Sequence, residues 1–164
     1  MLIWFFLMPR EFKKNGASVC VIDKKPNDYF VGDLAEEETL NRFAEKVITE
    51  YRKVDYLIHN APPLMKGISE CSYQEFNYAL RVGVTAPFYL TKLFLPHFSP
   101  GAAIVNISSS RDRMSQPQTE SYTAAKGGIA ALSLTCLVIC PFSGACSIWP
   151  AAGSSKRARS LQRP

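Results

Sequence analysis

Two residue types that commonly build metal centres are scarce. There are two histidines and five cysteines in 164 residues. Cys136, Cys140 and Cys146 follow each other without a histidine nearby, so the spacing does not describe a zinc site. Five thiols are also too few for a disulfide scaffold, and they predict reduced cysteines and a cytoplasmic setting. No hydrophobic run approaches the roughly 20 residues that cross a bilayer. The opening M-L-I-W-F-F-L-M has no basic flank and no small-residue cleavage site, so it reads as a buried segment rather than a signal peptide.

Acidic residues are absent after Leu132, while Lys156, Arg157, Arg159 and Arg163 lie there. These four supply most of the net charge of +5. The basic character therefore belongs to a tail, which excludes a nucleic-acid-binding face spread over the molecule. With 47% hydrophobic and 20% charged residues, the remainder has the balance of one folded domain.

What is present centres on residues 106–126, N-I-S-S-S-R-D-R-M-S-Q-P-Q-T-E-S-Y-T-A-A-K. Tyr122 and Lys126 are four apart and share one helix face. Ser109 follows the apolar run A-A-I-V-N-I, which reads as a buried strand. A free tyrosine, with a pKa of about 10, is a poor base at neutral pH. A nearby ammonium favours the phenolate. Ser109 is then placed to hold a carbonyl oxygen while Tyr122 exchanges a proton with it.

Along the chain, residues 2–14 predict a helix stopped by Asn15-Gly16. Residues 17–22 predict a strand ending at Asp23, 29–31 a second, 54–59 a third and 102–108 a fourth. Leu40, Phe43, Ala44, Val47 and Ile48 repeat at helical spacing. Ser72 with Glu75 three residues on predicts a capping box. His59 reads as a strand-end residue rather than a ligand.

I-S-S, a thirteen-residue gap, Y-T-A-A-K-G-G and an upstream I-H-N-A-P stand in one order. With them, residues 11–134 resemble the short-chain dehydrogenase/reductase family. The resemblance implies an α/β, Rossmann-like, doubly wound parallel sheet. It implies hydride transfer between NAD or NADP and an alcohol or carbonyl substrate, with Ser109, Tyr122 and Lys126 catalytic. Lys126 and Tyr122 would also touch the nicotinamide ribose. Asp23 would accept from the adenosine ribose, which slightly favours NAD, although Lys24 and Lys25 beside it offer charge to a 2'-phosphate. Asp23 is equally a turn residue, and Asp33 either lies beside adenine or caps the next helix. Asn60 and Ala61 match the family where the chain passes under the cofactor; His59 and Pro62 depart from it.

Three further departures matter. The family's glycine-rich T-G-x-x-x-G-x-G phosphate turn is missing before Ala17. Residues 2–7 cannot be the strand ahead of it, because nine residues remain to reach Ala17 and a parallel crossover needs about 10–12. Gly83 stands where the family carries an asparagine that keeps a relay water. After about residue 134 the family pattern ends, a change of the kind a frameshift or altered splice produces.

The expected organisation is a partial Rossmann-like domain over 1–140, incomplete at its first and last strands, and an irregular basic tail over 141–164. The expected activity is a weak or absent oxidoreduction. The alternative is a non-catalytic fragment that pairs with itself or with intact relatives through helices at 72–96 and 120–140. Neither nucleic acid nor membrane is an expected partner.

Overall fold

The computed structural model describes residues 3–112, 114, 116–139, 146–149 and 159–160. Helix α1 (Ile3–Lys14) ends at Asn15 and at Gly16 with φ +84°, a left-handed conformation that glycine adopts without strain. Strands β1 (Ile22–Asp23) and β2 (Phe30–Val31) pair in parallel, Ile22 with Phe30 and Asp23 with Val31. Helix α2 (Glu37–Tyr51) follows. Strand β3 (Val54–His59) then pairs in parallel with β4 (Phe98–Ile107).

Between those two strands runs one long helical rod. It comprises α3 (Tyr73–Leu80), a wide turn over Arg81–Thr85, and α4 (Ala86–Phe94). In the wide turn the Ala86 amide reaches back five residues to the Arg81 carbonyl. The predicted capping box starts the rod. Ser72 Oγ accepts from the Glu75 amide, and Glu75 accepts from the Ser72 amide. Helix α5 (Glu120–Ile139) carries Tyr122 and Lys126. No described helix is long and apolar enough to cross a membrane.

The helical spacing of α2 buries Leu40, Phe43, Ala44 and Val47. They meet Leu57 and Ile104 of the sheet and Ala86, Leu90 and Phe94 of α4 in one core. Phe43 and Phe94 pack edge to face at 6.3 Å between centroids. Neighbouring strand residues point to opposite faces. Leu57 faces this core, whereas Tyr56 meets Phe12 of α1 at 6.0 Å. Helices therefore lie on both faces of β3, as the doubly wound expectation requires, although Tyr56 on the α1 side stays 61% exposed.

The sheet departs from the expectation in two places. The run expected to be a strand over 17–22 is a strand only at Ile22 and Asp23. Residues 17–21 form no ladder with a described strand, because β1 and β3 belong to separate sheets. Between them lies a cavity of about 950 Å³, lined without a break by residues 16–25 on one side and 53–62 on the other. The missing first strand thus shows itself as a gap between two parallel edges.

The second departure lies in the stretch 141–164, expected to be irregular. Within it, β5 (Cys146–Trp149) extends the sheet in parallel beside β4, and β6 (Arg159–Ser160) pairs antiparallel with β5. The sequence order concealed this. The run C-S-I-W is only four residues long, and its partner β4 is some forty residues away. The rest of that stretch is outside the described residues.

Candidate functional site

Strand β4 delivers Ser108 and Ser109 at its carboxyl end. Ser108 is 1% exposed, and its hydroxyl donates to Asp112 Oδ2 at 3.1 Å. Ser109 Oγ accepts from the Arg111 amide at 3.3 Å, which leaves its own O–H to donate outward. The Asp112 amide donates to the Ser109 carbonyl at 3.2 Å and closes a tight turn over Ser110–Asp112.

Helix α5 is fixed at both levels. At its first turn Ser121, fully buried, accepts from the Lys66 amide at 2.8 Å and donates to the Leu64 carbonyl at 2.9 Å. The loop that follows Asn60 is thereby tied to the residue before Tyr122. Three turns on, Ser133 accepts from Asn106 Nδ2 at 2.8 Å, which locks the helix to β4.

Lys126 is 6% exposed, and its Nζ donates to the Ile107 carbonyl at 2.5 Å. Burial pushes its ammonium down from 10.5 to about 8. The same Nζ lies 5.7 Å from the centre of the half-buried Tyr122 ring. Arg111 lies on that ring too, with its guanidinium carbon at 5.9 Å. Arg111 was not foreseen. Its only signal was that it follows the serine run. It is held by Gln116 Oε1, which accepts at 2.6 Å.

The cofactor-side residues gather elsewhere, at the cavity between β1 and β3. Asp23, Asp33, Asn60, Ala61 and Lys126 all line it; Ser109 and Tyr122 do not. Asp23 Oδ1 accepts from the Lys25 amide at 2.8 Å, the turn role, with the carboxylate at the end of β1. Asp33 caps the turn before α2 through the Ala35 amide at 2.9 Å. Asp33 also pairs with Lys24 Nζ at 3.0 Å and accepts from Tyr78 at 3.1 Å. Lys24 Nζ donates to the Tyr78 hydroxyl at 3.0 Å. Burial works to raise the Asp33 carboxyl, but the Ala35 amide, Lys24 and Tyr78 outweigh it and hold it below the usual range. Tyr78 is the second member the sequence did not reveal, since nothing in its spacing ties a residue of α3 to one after β2.

His59 lines the same cavity, and desolvation pushes its imidazole down to about 4. Its Nε2 is 3.4 Å from Thr91 Oγ1, so a neutral ring sits at the strand end. Gly83 has a packing reason. A Cβ there would lie 2.7 Å from Ala125 Cβ and 3.2 Å from Pro63 Cβ. The rod and α5 are in contact at this point, with no room for a relay asparagine. Gly128 gives a second close approach, to Val84 at 2.7 Å, whereas a Cβ at Gly127 would meet nothing. Of these two adjacent glycines, only Gly128 lies in a close contact.

Several comparisons agree. The profile described as short chain dehydrogenase matches residues 8–137. An uncharacterized oxidoreductase of Thermotoga maritima is 34% identical over 104 residues, 62% of this chain and 41% of that protein. The chain thus spans less than half the length of that relative. The apo SCOR enzyme of Clostridium thermocellum superposes with a TM-score of 0.76 at 33% identity, covering 84% of this chain and 63% of that one. A metagenomic short-chain oxidoreductase in complex with NADP superposes with a TM-score of 0.70 at 20% identity, covering 91% and 65%. At that identity the likeness concerns the fold alone. The profile spans more than half of the chain and agrees with the relative and the superpositions, so the chain belongs to the short-chain dehydrogenase family.

Proposed function

We propose that Ser109, Tyr122 and Lys126 form the centre of an NAD(P)-dependent oxidoreductase acting on an alcohol or carbonyl group, weak or inactive in the chain as described. The observation that carries this is Lys126. A lysine kept 6% exposed, with its Nζ on the last carbonyl of β4 and 5.7 Å from the Tyr122 ring, has no packing advantage over a methionine. It has a use as a cation beside a phenol. In this reading the nicotinamide cofactor supplies the hydride chemistry. Ser109 donates to the substrate oxygen, Tyr122 exchanges the proton with it, and Lys126 supplies the neighbouring charge.

The cofactor choice follows from Lys24. Its ammonium is committed to Asp33 and Tyr78, so it is not available to a 2'-phosphate, while the Asp23 carboxylate remains at the strand end. NAD is therefore slightly favoured over NADP, with the exposed Lys25 as the cation beside Asp23 that opposes the preference. Asp33, Asn60 and Ala61 line the same space and complete the proposed cofactor side. The free thiols of Cys20 and Cys71 fit a cytoplasmic setting.

Weakness follows from the gap. Hydride transfer needs reacting atoms within about 3–3.5 Å, and the phosphate anchor expected ahead of Ala17 is not among the described residues. The test is titration of NADH and NADPH, with turnover measured on a panel of ketones and secondary alcohols. No saturable binding below millimolar cofactor is expected, and any turnover reached above it should vanish in Tyr122→Phe. Turnover undiminished by that substitution would refute the site, and micromolar cofactor binding would refute the weakness.

A further inference from the structure

We propose that Arg111 selects the substrate, and that this substrate is an acid: a 2-oxo or 2-hydroxy carboxylate whose anionic group pairs with the Arg111 guanidinium. The role rests on the Ser109-Tyr122-Lys126 reading and adds a substrate class to it.

Arg111 is a cation without a counter-ion. It is half-buried on the turn Ser110–Asp112, and among the described residues no carboxylate lies within ion-pair distance of it. Its side-chain partners are neutral: Gln116 Oε1 at 2.6 Å, Met65 Sδ at 3.0 Å and the Tyr122 ring. A thioether is a weak acceptor and a guanidinium carries five N–H donors, so most of its hydrogen-bonding capacity is unspent. Acidic side chains of the flanking segments are engaged elsewhere. Asp112 accepts from the Ser108 hydroxyl, Glu120 from the Ile68 amide and Glu75 from Lys66. A charge drawn partly out of water without a partner is costly, and an anion arriving from solution offsets that cost.

Its place fits the proposed chemistry. The Arg111 amide donates to Ser109 Oγ at 3.3 Å, so one tight turn sets both the hydroxyl for the substrate oxygen and the guanidinium. The guanidinium carbon is 5.9 Å from the Tyr122 ring centre, and Lys126 Nζ is 5.7 Å from it. Lys126 is committed to the Ile107 carbonyl, whereas Arg111 has donors to spare. A planar guanidinium takes a carboxylate through two parallel bonds, which fixes orientation as well as charge. A carboxylate held there directs the adjacent carbonyl toward Ser109 and Tyr122. Met65 and Met114 stand exposed on the two segments that Arg111 joins, adaptable apolar surface for the acid's hydrocarbon chain.

The test uses the full 164-residue chain without nucleotide, and two probes, 2-oxopentanoate and its methyl ester, which share the ketone and differ in charge. Dissociation constants are read by ligand-observed NMR. The Arg111 Nε–H resonance, assigned by its loss in Arg111→Gln, reports the contact. The acid should bind about tenfold or more tighter than the ester and shift that resonance. Arg111→Gln should reduce the acid to the affinity of the ester, and Arg111→Lys should keep part of the preference. Three results would overturn the proposal: no preference for the acid (undetectable binding of both probes included), a preference that survives Arg111→Gln, or acid binding that leaves the Arg111 resonance unmoved. The outcome is separate from the turnover test of the centre. Selective acid binding, with turnover undiminished in Tyr122→Phe, would refute the centre alone. Turnover of uncharged ketones that vanishes in Tyr122→Phe, with no acid selection, would refute the role of Arg111 alone.

Discussion

Replacing Lys126 by methionine should change the pH dependence of stability in a defined direction. The ammonium titrates at about 8 in the fold and at 10.5 when free, because burial disfavours its charge. Between those values the unfolded chain holds more protons than the folded one, so stability rises with pH across the window. At 1.36 kcal/mol per unit, the cost of keeping Lys126 charged and buried is ~3 kcal/mol near pH 7 and disappears by about pH 10.5. Lys126→Met removes that cost and also leaves the Ile107 carbonyl without its donor, a loss of ~1–3 kcal/mol. The variant should therefore equal or exceed the parent by up to ~2 kcal/mol at pH 7 and fall ~1–3 kcal/mol below it at pH 10.5. Urea unfolding of both proteins across this range reads the difference directly, provided the m-values stay equal. Titration of lysines, tyrosines and cysteines remote from Lys126 is common to both and cancels, and running the same pair in a Tyr122→Phe background removes the one neighbouring phenol. A parent–variant difference that is flat from pH 7 to 10.5 would show that Lys126 is solvated, and would remove the observation on which the functional proposal stands.

Two substitutions test the packing. Gly83→Asn, which restores the family's residue, should lower stability by ~1–3 kcal/mol, or a Tm fall of several degrees, since its Cβ meets Ala125 between Tyr122 and Lys126. A gain in stability on thermal melting would show that the rod and α5 can separate. Arg52 closes α2 in a left-handed conformation with φ +65°, so Arg52→Gly should stabilise by ~1 kcal/mol in the same assay; a loss would mean the arginine side chain contributes more than its backbone strain costs.

The helices were legible in the sequence because their information is local. The period of Leu40, Phe43, Ala44 and Val47, the Ser72–Glu75 box and the Asn15-Gly16 stop each name a contact or conformation within a turn or two. The four-residue spacing of Tyr122 and Lys126 on one helix was legible too, and so was the absence of a strand among the described residues ahead of residue 17. What that absence does to the molecule needed the tertiary structure. Ladder formation depends on a neighbour distant in sequence, so residues 17–21 look like a strand and form none, while the four residues Cys146–Trp149 look like tail and pair with β4. Gly83 was read as a lost side chain, and only the approach of Ala125 shows that a side chain cannot fit. The same holds for charge. Lys24 beside Asp23 looked available to a phosphate, and its capture by Asp33 and Tyr78 joins three chain segments whose proximity no local pattern encodes.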